Sequence, residues 1–147
     1  MQRQNDLSVI EIFGCDLKTK QRLPLYSSKI HAGFPSPADD YQDKKLDLNE
    51  FLIKHPTATF FVKVKGESMI NAGIHSGDIL IVDRSIEPKN NQIVVAVVDG
   101  DFTVKRVQKK AGKLFLVSEN PEFSAIEVSQ SCDFEIWGAV LHVIHSF

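Results

Sequence analysis

The run Ile93-Val94-Val95-Ala96-Val97-Val98-Asp99-Gly100-Asp101-Phe102-Thr103-Val104-Lys105-Arg106-Val107 decides the fold class. Two segments rich in β-branched residues flank Asp99-Gly100, a pair suited to the left-handed backbone of a tight hairpin turn. They are therefore predicted to pair as antiparallel strands. Working outward, Ala111-Gly112 turns the chain into another strand over Lys113 to Val117. Upstream, Thr57 to Lys65 carries Phe60, Phe61, Val62 and Val64, and Ile79 to Val82 is wholly apolar. Near the end, Phe134 to Trp137 and Ala139 to Ile144 are expected to form a last strand pair, with Gly138 as a bulge or kink. Together these signals predict a mainly β domain of roughly five to seven short, twisted strands.

One short helix interrupts the strands. Asp47-Leu48-Asn49-Glu50 reads as a helix start, with Asp47 as N-cap and Glu50 at the reciprocal position, and Pro56 ends the helix within two turns. The polar run Asp39, Asp40, Asp43, Lys44 and Lys45 is expected to be a solvated linker. The stretch before it, Met1 to about Tyr41, holds three of the six prolines and has no sustained period. Within it, Val9 to Phe13 is expected to form a short strand packing on the core. Ile30 to Pro37 should be an extended arm, because a residue before proline is pushed out of the helical region. The expected division is an N-terminal arm over 1–44 and a β domain over 45–147.

At 147 residues, 43% hydrophobic and 24% charged, the chain can build one full core. A net charge of -2 argues against a broad nucleic-acid or membrane-binding surface. Cys15 and Cys132 lie far apart without metal-ligand spacing, so two free thiols in a reducing compartment are expected. The start, Met1-Gln2-Arg3-Gln4-Asn5-Asp6, lacks the apolar region of a signal peptide, and Ile93 to Val98 is too short to span a membrane. A cytoplasmic protein is expected.

Two residues carry the candidate chemistry. Ser68 follows a strand and the pair Gly66-Glu67, which would set its hydroxyl exposed on a turn whose backbone N–H groups can converge on an oxyanion. A serine behind a glycine also commonly serves only the turn. Lys105 sits mid-strand among Phe102, Val104 and Val107. Such a lysine is either an edge residue whose ammonium snorkels to water, or a desolvated amine that can take a proton from a hydroxyl. Shifting it from about 10.4 to neutrality corresponds to roughly 4 kcal/mol. Other candidates are weaker. His142 and His145 fall on opposite faces of a strand, which speaks against a metal site. His31 and His55 are expected to be solvated, and Asp78 to be a turn residue. No Ser/His/Asp set is suggested by order or spacing.

Taken together, Val64-Lys65-Gly66-Glu67-Ser68-Met69, Gly77-Asp78, Val94 to Val98, Asp99-Gly100 and Phe102-Thr103-Val104-Lys105-Arg106 resemble the LexA/UmuD family of self-cleaving proteins. Ser68 and Lys105 lie 37 positions apart, the interval that family has. Ala32-Gly33-Phe34-Pro35-Ser36-Pro37-Ala38-Asp39-Asp40-Tyr41 and Asp47-Leu48-Asn49 resemble its UmuD branch. The resemblance covers about residues 30 to 147 and implies a Ser-Lys protease β domain. By it, Ser68 is the nucleophile, Lys105 the general base, and Ala32-Gly33 the bond cut. The backbone N–H groups of Ser68 and Met69 would form the oxyanion hole, and neither metal nor cofactor is implied. It further implies a homodimer, stimulation by the RecA-single-stranded DNA filament, and a UmuC-type polymerase as partner of the cleaved form in the SOS response. Some members carry Cys where this chain has Ala32, and the side chain is small either way.

The residues are compatible with that reading. A small residue before the cut suits a narrow pocket, Gly33 allows close backbone approach, and the extended arm can add as a strand beside the domain. From Gly33 to Ser68 the chain could span over about 100 Å, so reach is no obstacle. Alternatives remain: a dimeric binding module that regulates a polymerase without cutting, a LexA-type repressor fragment, or a signal peptidase. The proline-interrupted first forty residues leave no room for a helix-turn-helix, and no membrane anchor is present for a signal peptidase.

Overall fold

The computed structural model describes residues 6–15, 22–26 and 42–147. The chain divides into two compact units, Met1–Cys15 together with His55–Phe147, and Asp16–Lys54.

The first unit is built on one antiparallel sheet of eight strands. In chain order its strands are β1 (Ser8–Gly14), β4 (Thr59–Lys65), β5 (Ile79–Asp83), β6 (Ile93–Val98), β7 (Asp101–Lys110), β8 (Lys113–Val117), β9 (Ile126–Val128) and β10 (Phe134–Ile144). Across the sheet they run β1-β4-β5-β10-β6-β7-β8-β9. The β6–β7 hairpin forms as predicted. Asp99 and Gly100 have φ of 49° and 87°, the left-handed pair of a tight turn. Ala111 and Gly112 repeat the device between β7 and β8, at 51° and 74°.

The C-terminal segment differs from the expected strand pair. β10 is one continuous strand of 11 residues. Its first half pairs with β6 and its second with β5, and the register shifts between Ile136 and Gly138 and again between Val140 and His142. The bulge expected at Gly138 is there as the first of these shifts, and a Cβ at this position would lie 2.6 Å from Val82 Cγ1, so a larger residue would force that side chain aside.

Val9 to Phe13 lies in β1, which adds to the edge of β4 with Ser8 opposite Lys65 and Phe13 opposite Phe61. The strand rests on the sheet edge more than on the core: Leu7 just before it is fully buried, whereas Ile10, Ile12 and Phe13 are exposed. The main core cluster joins Leu7, Val62, Val64, Met69, Ile74, Leu80, Val82, Val95 and Val104. Val94, Ala96, Val107 and Leu116 form a second cluster, so alternate residues of β6 serve opposite sides.

In the second unit, β2 (Arg22–Tyr26) pairs antiparallel with β3 (Gln42–Asp47), and α1 (Leu48–Leu52) follows. Asp47 caps the helix, its carboxylate accepting from the N–H groups of Asn49 and Glu50. Asp43, Lys44 and Lys45, expected in a linker, lie in β3. Their composition resembles a loop, but strand pairing uses backbone groups that every residue carries. Asp39, Asp40 and the arm from Ile30 to Pro37, with Ala32 and Gly33, fall outside the described residues.

Candidate active site

Ser68 stands on a turn between β4 and a short 3-10 helix over Ile70–Ala72. The turn is clamped at its base, where the Val64 N–H donates to Asp78 O at 3.1 Å and the Gly77 N–H to Val64 O at 2.8 Å. Gly66 leaves β4 with φ of 122°, a conformation that other residues rarely adopt. The segment after β8 fastens the other side: Asn71 N–H donates to Glu119 O at 2.9 Å and Asn120 Nδ2 to Glu67 O at 3.0 Å. Glu119 in turn pairs with Arg106 of β7, the neighbour of Lys105. The serine turn and the lysine strand are thereby held to a common loop.

Lys105 lies on β7, an inner strand between β6 and β8, directly opposite Val94. Its side chain is 1% exposed, which rules out a snorkelling edge lysine. Nζ donates to Ser68 Oγ at 3.3 Å and also to the Asp6 carboxylate. Burial pushes the ammonium below the usual lysine range, and the hydrogen bond and charge of Asp6 push back. The net shift is downward, toward a neutral amine.

The Ser68 hydroxyl, expected to be exposed, is buried. The reason is a segment that pattern reading could not connect to the site. Asp6 and Leu7, just before β1, lie over the pair, and the Leu7 N–H donates to Ser68 Oγ at 2.9 Å. A lone Asp-Leu doublet carries no periodic signal that it meets residues 61 and 99 positions further on. Beside it opens a cleft of about 170 Å³, lined by Asp6, Lys105, Ser118, Phe123, Ser124, Ala125 and Ile126. Met69 is wholly buried in the main core and fixes the turn from below. It caps the 3-10 helix, whose first two N–H groups, of Ile70 and Asn71, donate to Glu67 O at 3.2 Å and Glu119 O at 2.9 Å.

Two of the remaining candidates have larger roles than expected. His55 is exposed, as expected, yet its Nδ1 bonds the buried Asp83 carboxylate at 2.6 Å. Asp78 is buried, accepts from the His75 N–H at 2.8 Å, and bonds His145 Nδ1 at 2.5 Å, so it joins the turn to the C-terminal end. His75, Asp78 and His145 bring ligand-type atoms within 4.8 Å of one another and could hold a metal ion. Both carboxylate oxygens are already bonded within this group, which makes it a clamp as it stands. The spacing of His142 and His145 gives no sign of this group, because His75 is remote in sequence. Among the described residues no helix is long and apolar enough to cross a membrane.

Residues 24–141 match the model of the family described as Peptidase S24-like. Protein ImpA of Salmonella typhimurium is 47% identical over 123 residues, covering 83% of each chain. Protein MucA of Salmonella typhimurium is 41% identical over 121 residues, covering 82% of each chain. The LexA repressor of a Shewanella species is 40% identical over 125 residues, spanning 84% of this chain and 60% of the repressor. The matched span takes in the Ser68 turn, the Lys105 strand and the Ala32-Gly33 segment, and the chain belongs to the Peptidase S24-like family.

Proposed function

We propose that this protein is a self-cleaving serine protease in which Ser68 is the nucleophile, Lys105 the general base, and Ala32-Gly33 the bond cut. The observation that carries the reading is the contact of Ser68 Oγ with a buried lysine amine at 3.3 Å. A hydroxyl is a weak nucleophile at its own pKa and needs an adjacent base. A lysine serves when desolvation lowers its pKa, as burial does for Lys105.

In this mechanism neutral Lys105 takes the Ser68 proton as Oγ attacks the carbonyl carbon of Ala32. The N–H groups of Ser68 and Met69 receive the developing oxyanion. Lys105 then returns its proton to the departing Gly33 amine, leaving an acyl-enzyme on Ser68. Water, deprotonated by Lys105, then attacks the acyl carbon; the bond to Ser68 Oγ breaks, Oγ takes the proton back from Lys105, and the Ala32 carboxylate is released.

The wider role follows from the resemblance to the LexA/UmuD family. Cleavage would be stimulated by the RecA filament in the cytoplasm. The shortened homodimer would then serve a UmuC-type translesion polymerase in the SOS response to DNA damage. Intact-mass measurement with and without RecA, single-stranded DNA and nucleotide tests this. A new species beginning at Gly33, faster with the filament, is expected. An intact chain after prolonged incubation with the activated filament would favour a non-cutting binding module.

A further inference from the structure

We propose that the groove between β4 and the Ser68 turn binds an extended peptide carrying an acidic residue followed by a branched aliphatic one, and that Asp6-Leu7 is its resident inhibitor, which must leave before Ala32-Gly33 can be cut. This rests on the protease reading above.

The segment is held as a bound peptide would be. β1 adds antiparallel to β4 up to Ser8 opposite Lys65, which brings Asp6 and Leu7 to the turn that carries Ser68. Leu7 is fully buried against Val62, Val64, Met69 and Ile74. The groove has no room for a side chain on its floor, since a Cβ on Gly66 would collide with the Asp6 carbonyl. Ser118, which lines the cleft beside Asp6 and Lys105, is 9% exposed and its hydroxyl has no hydrogen-bond partner among the described residues. It is a polar group that another occupant could satisfy.

The bound pose is not one for cleavage. Attack requires a free Oγ lone pair over a carbonyl carbon and a neutral amine to take the proton. Here the Leu7 N–H, not a carbonyl carbon, is presented to Oγ. The Asp6 carboxylate meets the same amine and favours the ammonium, which cannot accept a proton. One residue therefore occupies the nucleophile and the other the base.

The test uses the full chain, with spontaneous cleavage at alkaline pH followed by intact mass. Glu11 and Lys63, opposite each other on β1 and β4, are changed to Cys in a background with Cys15→Ser and Cys132→Ser, so that a disulfide can hold the strand in place. The oxidised form should cleave at least about tenfold more slowly than the same protein after reduction. Asp6→Ala, with its fold checked by circular dichroism, should cleave about tenfold faster than the parent if the groove is free about a tenth of the time. Hydrogen exchange should find the Leu7 N–H protected in the parent and unprotected in Asp6→Ala. Equal rates for oxidised and reduced forms, each releasing the Gly33 fragment, would overturn the inhibitor while leaving the protease intact. A Leu7 N–H unprotected in the parent would overturn the docked segment itself. Absence of a Gly33 fragment from every variant would instead overturn the protease reading, and the inhibitory role with it.

Discussion

Asp83 and Lys105 are both fully or almost fully buried charged side chains of the same sheet, yet their surroundings treat them in opposite ways. Asp83 ends β5 and is surrounded by donors: the Ser85 N–H at 2.8 Å, the Ser85 hydroxyl at 2.6 Å and His55 Nδ1 at 2.6 Å. Burial works to raise its pKa, but these bonds outweigh it and hold the carboxyl below the usual range, so the charge is kept. Lys105 has one anionic partner and one hydroxyl, and burial outweighs them. Its charge is made less favourable than that of a solvated lysine. A buried charge whose partners fully satisfy it is structural, and one left undersatisfied next to a nucleophile is poised to transfer a proton.

The sharpest way to break this comparison is at the undersatisfied end. Ser68→Ala and Lys105→Ala should each lower cleavage at Ala32-Gly33 by about 10³-fold or more, read by intact mass. Ser68→Ala loses two buried hydrogen bonds, from the Leu7 N–H and from Lys105 Nζ, about 2 kcal/mol of stability together, and should keep its fold. A Gly33 fragment formed at the normal rate by either variant would remove the Ser-Lys assignment. Ala32→Trp should slow cleavage by about 10²-fold or more while Ser68 and Lys105 stay unchanged, since a 1 Å misplacement of the bond suffices for that loss. Normal cutting of this variant would dispose of the narrow pocket.

The pH dependence is the next largest effect. Only neutral Lys105 can accept the Ser68 proton, so below its pKa the rate should rise about tenfold per pH unit. Because burial lowers that pKa, the rise should level off at a lower pH than an ordinary lysine would give. Asp6→Asn removes the charge that opposes the shift and should move the profile further toward acid. A rate that is flat or falls from pH 6 to about 9, with the fold retained, would exclude the amine as base.

The smallest effect lies at the satisfied end. Asp83→Asn should destabilise the protein by about 2 kcal/mol in urea unfolding, the usual worth of hydrogen bonds to a charged group. Both pKa values are shifted downward, so both residues make stability rise with pH, but in different windows. The Asp83 contribution is complete above about pH 4, its unfolded value, and is lost as pH falls through the lower folded value. The handicap of burying Lys105 is greatest below its folded pKa and fades as pH rises toward about 10.4. Loss of the acid-side dependence in Asp83→Asn, with the alkaline side unchanged, would separate the two.

Much of this was legible in the residues, and for identifiable reasons. Asp99-Gly100 and Ala111-Gly112 each adopt paired left-handed conformations, and Asp47 caps α1 through its own neighbours. Such features depend on a few consecutive residues, so the sequence by itself determined the hairpins, the helix start and the mainly β class. It also determined which serine and lysine to consider, through several ordered blocks at fitting intervals. Tertiary structure alone decided what those residues feel. Lys105 would be a snorkelling lysine on an edge strand and is a desolvated amine because β6 and β8 flank it. Ser68 would be an exposed turn hydroxyl and is buried because Asp6 and Leu7 lie on it. Burial and pairing are properties of what packs against a residue, and the groups that pack here come from segments far along the chain, where no local period records the encounter.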